Sequence, residues 1–375
     1  MTNDRGVLRE RMTLFWHGHF ACKSPVALFM KNQNNTLRKH ALGKFGDLLK
    51  SISQDAAMLQ FLNNQQNRKS SPNENFAREL LELFTLGRGN YSERDIKEAA
   101  RAFTGWGFDR HGDFTNRKRQ HDEGEKNFMG VSGNLDGNNI LEIILDNRKT
   151  AVHVTEKVYA YFVNENLNQE IVRSLSKEFY ESGYDTEKLM KRIFTSDWFY
   201  DKENIGAKIK SPADLICGLK KSFGIEFGNP DSLLVLQKNL GQMLLNPPNV
   251  AGWPGGRSWI DSSLLMYRMK LPELIFLASG RDFDYDVNTG RNLKKKEKFP
   301  LKNFRIKTDL AEYIKAFGKF DGDELTDNLC EYLLQKDVDS ETKKLIKKYS
   351  DYSRRETSVE SMTMRIISLP EYQLC

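Results

Sequence analysis

The chain has 375 residues, 39% hydrophobic and 29% charged, enough for a sizeable core that needs neither disulfides nor a structural metal. Its 57 Lys and Arg against 51 Asp and Glu leave a net charge of +6, too small at this length to mark a nucleic-acid binder, so no nucleic-acid partner is expected. Cys22, Cys217, Cys330 and Cys375 make no Cys-x-x-Cys pair and no disulfide framework, and no run of about 18 apolar residues offers a transmembrane helix.

The N-terminus carries Asn3-Asp4-Arg5 and no apolar h-region, so no signal peptide is read in this chain. Val7 to Trp16 reads as a strongly apolar helix with almost no lead-in. Either the protein is short at this end, or upstream helices, and any export signal with them, are missing; the second is the expectation. The helix carrying Trp16 should then show an apolar face without a covering partner.

Three helix starts share one chemistry. Ser71-Pro72-Asn73-Glu74 and Ser211-Pro212-Ala213-Asp214 each offer a Ser cap, a Pro at the first helical position and an acid at the third. Ser92-Glu93-Arg94-Asp95 repeats the pattern without the Pro. The helix from Ser71 places Phe76, Leu80, Leu83 and Phe84 on one stripe and stops at Gly87. The next buries Ile96, Ala99, Ala100 and Phe103 and stops at Gly105. Residues 107–139 are glycine-rich and read as loops with a small hairpin. Helical spacing then returns in further stretches as far as 279 and again from about residue 308, where Leu310, Tyr313, Ile314 and Phe317 share a face.

The fold class expected is all-α. A main helical domain, 1–279, carries the irregular insert at about 107–139. A charged linker, 280–305, contains Lys294–Lys296, and a helical C-terminal part covers 306–375. Trp106, Trp253 and Trp259 sit in or beside loops. The Pro and Gly pairs around Trp253 favour a rigid turn over a ligand platform. Lys343, Lys344, Lys347 and Lys348 read as a solvated face.

Seven segments together resemble one bacterial family, the domain of unknown function 1800 family. They are Leu14-Phe15-Trp16-His17-Gly18-His19-Phe20, Asn73 to Gly87, Tyr91-Ser92-Glu93-Arg94-Asp95, Ala102-Phe103-Thr104-Gly105-Trp106, His121 to Lys126, Ile209-Lys210-Ser211-Pro212 and Asn246 to Pro254. Their order and spacing span nearly the whole chain. The resemblance implies a largely helical fold and supplies no reaction. It also implies a further helical segment before the Phe-Trp element, and many relatives carry His where this chain has Phe84.

The residues that could carry chemistry start on the Ser71 helix. Asn75, Glu79 and Glu82 lie along one side of the apolar stripe, and two carboxylates at i, i+3 at a core boundary can hold a divalent cation or act as acid and base. His17 and His19 are about 200° apart on a helix and cannot both serve one site. The resemblance places a fixed His at His19. His121 and Asp122 lie in the glycine-rich stretch.

These residues define the leading expectation, a hydrolase-type enzyme with Glu79, Glu82, His121 and Asp122 as catalytic groups. His19, Glu79, Glu82 and His121 would hold a divalent metal, with Asp122 orienting His121. The competing reading is a non-catalytic helical binding or scaffold protein, with a protein partner, whose polar cluster is an internal hydrogen-bond network. In that case Glu79 and Glu82 pair with Arg78, Arg101 or lysines. No His-Glu-x-x-His, Gly-x-Ser-x-Gly, Walker or Rossmann signature is present.

Overall fold

Two of the three predicted helix starts form as written in the computed structural model, which describes residues 6–279 and 306–375. Ser92 accepts the Asp95 N–H while the Asp95 carboxylate accepts the Ser92 N–H, and Ser211 and Asp214 make the same reciprocal box. The third fails. Helix begins only at Asn75, and Glu74 at the cap position makes no side-chain cap. The buried Asn67 amide oxygen takes the Asn73 N–H at 2.9 Å, and Ser71 bridges to Arg68. Those bonds hold 71–74 out of the helix, and Glu74 pairs with Arg78 at 3.1 Å instead.

The described residues are largely helical and fall into two compact units. The first runs to Tyr200 and takes in Leu244–Trp253. It contains α1 (Val7–His19), α2 (Ala27–His40), α3 (Phe45–Ser53), α4 (Ala56–Phe61) and α5 (Asn75–Glu79), which continues into a π-helical turn, Leu80–Thr85. After α6 (Glu93–Ala102) come the antiparallel hairpins β1 (Trp106–Phe108) with β2 (Phe114–Asn116), and β3 (Lys126–Phe128) with β4 (Val131–Gly133). The helices α7 (Gly137–Asp146), α8 (Arg148–Phe162), α9 (Gln169–Glu181) and α10 (Thr186–Phe194) follow. The glycine-rich stretch thus holds two hairpins and the start of a helix, capped by Asp136 through the N–H groups of Asn138 and Asn139. These short strands qualify the all-α expectation.

Phe76, Leu80 and Phe84 are buried as the stripe requires, together with Ile96 and Phe103 of α6, and Leu83 is partly buried against the same core. The Phe76 and Phe103 rings meet edge to face at 5.0 Å. The first helix departs from expectation. Met12, Phe15, Trp16 and Phe20 are no more than 5% exposed. Trp16 donates its indole N–H to the Ala41 carbonyl at 3.0 Å, Arg38 of α2 pairs with Glu10 at 2.7 Å, and Tyr161 and Phe162 of α8 pack on Phe15. The apolar face of α1 is covered by α2, the next helix, and by α8, far downstream, which a local sequence reading does not bring to it.

The second unit comprises Asp201–Met243 and Pro254–Cys375. It holds α11 (Pro212–Ser222), β5 (Glu226–Phe227), α12 (Pro230–Asn239), α13 (Ser262–Ala278), β6 (Ile306–Lys307), α14 (Ala311–Phe317), α15 (Gly322–Leu333), α16 (Ser340–Lys348) and α17 (Arg355–Ile367). Its core includes Phe223, Leu240, Leu329, Val359, Met362 and Ile367, with Leu310 and Tyr313 buried and Ile314 and Phe317 packed beside them. Lys343 and Lys344 pair with Asp327 and Glu341, and Lys347 pairs with Asp323, as a solvated face would. The expected linker and Lys294–Lys296 lie outside the described residues.

Candidate functional site

Glu79 ends α5 and Glu82 sits in the π-helical turn that follows. Their surroundings differ. Glu82 accepts hydrogen bonds from Arg88, with Nε at 2.9 Å, and from the Tyr91 hydroxyl at 3.0 Å. The Arg88 bonds, backed by Tyr91, hold its carboxyl below the ordinary value. The Tyr91 phenol is pushed up to about 12, by burial and then by Glu82. Glu79 has no hydrogen-bond or ion-pair partner among the described residues, and burial, helped by the neighbouring Glu82 charge, raises its carboxyl. Arg78 is spent on Glu74 and Glu93.

The end of this helix explains His19. In the π turn the Leu86 and Gly87 N–H groups both reach back to the Leu81 carbonyl, and the carbonyls of Leu83 and Phe84 are met by side chains. His19 Nε2 donates to the Phe84 carbonyl at 3.0 Å, and His153 Nε2 of α8 donates to the Leu83 carbonyl at 3.1 Å. A carbonyl can only accept, so in each neutral ring the proton sits on Nε2. His19 is 7% exposed, surrounded by Phe15, Trp16, Phe20, Phe45 and Phe84, and its Nδ1 has no partner among the described residues. Burial, with Lys157 and His153 nearby, drives its basicity well below the ordinary value. His153 is lowered to about 4, chiefly by burial, and Lys157 is lowered by burial as well. Gly87, at φ +79°, lies against His153, where a Cβ would come within 2.8 Å of Nδ1. Nothing in the sequence marks His153, a single histidine on an otherwise ordinary helix.

His121 and Asp122 belong to a different construction. His121 Nδ1 bonds the Thr104 carbonyl at 2.9 Å, and the Asp122 N–H donates to the Thr104 hydroxyl at 2.8 Å. The Asp122 carboxylate takes the Arg101 guanidinium, with Nε at 2.8 Å, which holds its carboxyl below the usual range. Arg101 also reaches Glu98 at 2.9 Å and the Glu125 carbonyl at 3.1 Å. Lys126, 1% exposed, donates to the carbonyls of Asp122 and Gly124 at 2.5 and 3.0 Å. The segment His121 to Lys126 is therefore a loop folded around its own carbonyls and clamped by Arg101. Its regular spacing of polar residues looks the same in sequence whether it holds a loop or a ligand.

The expected metal constellation finds no support in this arrangement. Among the described residues, no group of three or more His, Cys, Asp or Glu side chains is placed to hold a metal ion. Neither His19 nor His121 makes a hydrogen bond or ion pair with Glu79 or Glu82, and Asp122 bonds Arg101 rather than the His121 ring. The physical reason is that helix ends and tight loops leave backbone groups unmet, and the nearest polar side chains are consumed in meeting them.

A second pair of segments from the sequence does meet. His17 of α1 is 4% exposed and accepts the Leu245 N–H on Nε2 at 3.0 Å. The Trp253 ring lies 5.3 Å from the imidazole. Gly252, at φ +81°, approaches so closely that a Cβ would stand 2.5 Å from the Gly18 carbonyl oxygen. The segment Asn246 to Trp253 is thus a strap laid on α1, in keeping with the rigid turn expected around Trp253. Burial lowers His17 to about 4.

A family model described as a protein of unknown function, DUF1800, matches residues 1–374. No curated protein and no solved structure matches. No helix among the described residues is long and apolar enough to cross a membrane.

Proposed function

The chain belongs to the DUF1800 family, whose function is not known, and from its geometry we propose a non-catalytic helical binding or scaffold protein whose polar cluster is an internal hydrogen-bond network. The observation that carries this reading is the use to which the polar residues are put. His19 meets the Phe84 carbonyl, His121 the Thr104 carbonyl, and Asp122 the Arg101 guanidinium. Each of these bonds ties together segments separated in sequence, so these polar groups are used to hold the fold and not to face a substrate.

The hydrolase-type reading, without the histidines, keeps one specific support. Glu79 is raised and unpartnered beside a Glu82 that is lowered and doubly bonded. Carboxylates pushed apart by their surroundings are the pattern of a general acid beside a permanent charge.

One experiment separates the two. Wild type, Glu79→Gln and His19→Ala are compared by thermal unfolding and against a panel of chromogenic esters, phosphoesters and glycosides. The scaffold reading expects His19→Ala to lower Tm, Glu79→Gln to hold or raise it, and no turnover sensitive to Glu79. Turnover that disappears in Glu79→Gln at unchanged Tm overturns the scaffold reading in favour of acid–base catalysis.

A further inference from the structure

In the second unit the segment Ile209-Lys210-Ser211-Pro212 is anchored by the last residues of the chain. Ile209 pairs with Leu374, the Lys210 N–H donates to the Gln373 carbonyl at 2.7 Å, and Lys208 and Cys375 exchange backbone bonds at 2.8 and 3.1 Å. This places the Lys210 ammonium on Tyr372. Its Nζ lies 3.8 Å over the ring and donates to the Tyr372 carbonyl at 2.6 Å. Behind it lies Arg268 of α13, 0% exposed. Its Nη2 donates to the Lys210 carbonyl at 2.9 Å and its Nη1 to Gln373 Oε1 at 3.4 Å.

This cluster is rich in donors and poor in acceptors. Among the described residues, every acceptor hydrogen-bonded to the two cations is a neutral oxygen. Among the described residues Arg268 Nε has no partner, and neither does Nε2 of Gln373, a residue 2% exposed. Lys210 has three N–H donors and bonds one carbonyl. Buried polar atoms are almost always paired in native proteins, so two orphaned donors on side chains bonded to each other need a missing partner. Two cations taken out of water need opposing charge as well. Asp214 and Cys375 supply some, yet burial still dominates, lowering Lys210 to about 8 and Arg268 to about 10. Water would answer the donors but not the charge. Lys210 is only partly buried, so its side of the cluster reaches solvent, whereas Arg268 and Gln373 are sealed.

We propose that Arg268, Lys210 and Gln373 form a binding site for a small oxyanion, a phosphate or a carboxylate, with Arg268 Nε, Gln373 Nε2 and the Lys210 ammonium as its donors. Charge-assisted bonds from a guanidinium and an ammonium suit such an ion, and a carboxamide N–H completes the set. The site is independent of the polar network in the first unit.

The test is thermal unfolding of the full chain, dialysed into a zwitterionic buffer and titrated with sodium phosphate or sodium acetate at constant ionic strength set with chloride. The expected result is a saturable rise in Tm with one of the two anions, the responding anion identifying the ligand class. Arg268→Met should lose the response. Because that variant removes a buried residue and can fail to fold, Gln373→Glu serves beside it, bringing a carboxylate of its own to the cluster. It should fold, with a Tm in anion-free buffer at least equal to wild type, and respond to neither anion. A wild type indifferent to both anions, or a Gln373→Glu chain that responds as wild type does, overturns the proposal and assigns the orphaned donors to water.

Discussion

Acid should loosen the strap over α1, and His17 is the group through which it acts. Its Nε2 accepts the Leu245 N–H at 3.0 Å, so a proton added there would set two donors against each other and leave a charge in a site 4% exposed. The folded imidazole sits at about 4, lowered by burial from an ordinary 6.5. Between those values the unfolded chain binds the proton and the folded chain does not. Stability therefore rises with pH through this window and is lost as pH falls from about 6.5 to about 4. A difference of this size corresponds to about 3 kcal/mol between the protonation states. Other groups titrate in the same range. His153 acts in the same direction, whereas Asp55, raised by burial to about 6, acts in the opposite one. The informative quantity is accordingly the difference between wild type and His17→Gln, whose amide oxygen can take the Leu245 N–H without titrating. Urea unfolding of both from pH 7 to pH 4 should show wild type losing about 3 kcal/mol more than the variant across the window. Parallel profiles would refute the reasoning and show that the strap yields to protonation without cost.

Gly252→Ala should destabilise by about 1–3 kcal/mol in denaturant unfolding, since a side chain at φ +81° is strained and meets the Gly18 carbonyl oxygen; a neutral substitution would mean that the strap is free to lift. Leu80→Ala, at a site with 0% exposure, should cost about 2–5 kcal/mol, and a loss under 1 kcal/mol would contradict its burial in the core it shares with α6. Arg101→Met removes the clamp on Asp122, Glu98 and the Glu125 carbonyl and should cost about 1–3 kcal/mol. Limited proteolysis should then cut within 119–125 at low protease, while an uncut loop would show that Lys126 alone suffices to hold it.

Local chemistry made much of this protein legible without coordinates. The Ser92 and Ser211 boxes, the glycine stops at Gly87 and Gly105 and the stripe from Phe76 to Phe84 are each set by neighbours within one or two helical turns, which a single sequence displays. The failure at Ser71 has the opposite cause, since the Asn67 side chain competes for the backbone and that competition depends on where the chain turns. The candidate site illustrates the same division. That Glu79 and Glu82 share a helical side at the edge of the core follows from helical spacing. Whether a histidine reaches them does not, because His19 and His153 come from helices 65 and 70 residues away and are claimed by the carbonyls of Phe84 and Leu83. The sequence by itself determined two of the three helix starts it signals, the glycine stops and the apolar stripe. Only the tertiary structure decided which polar side chains remain unspent, because each buried backbone group takes whichever partner folding brings within about 3 Å.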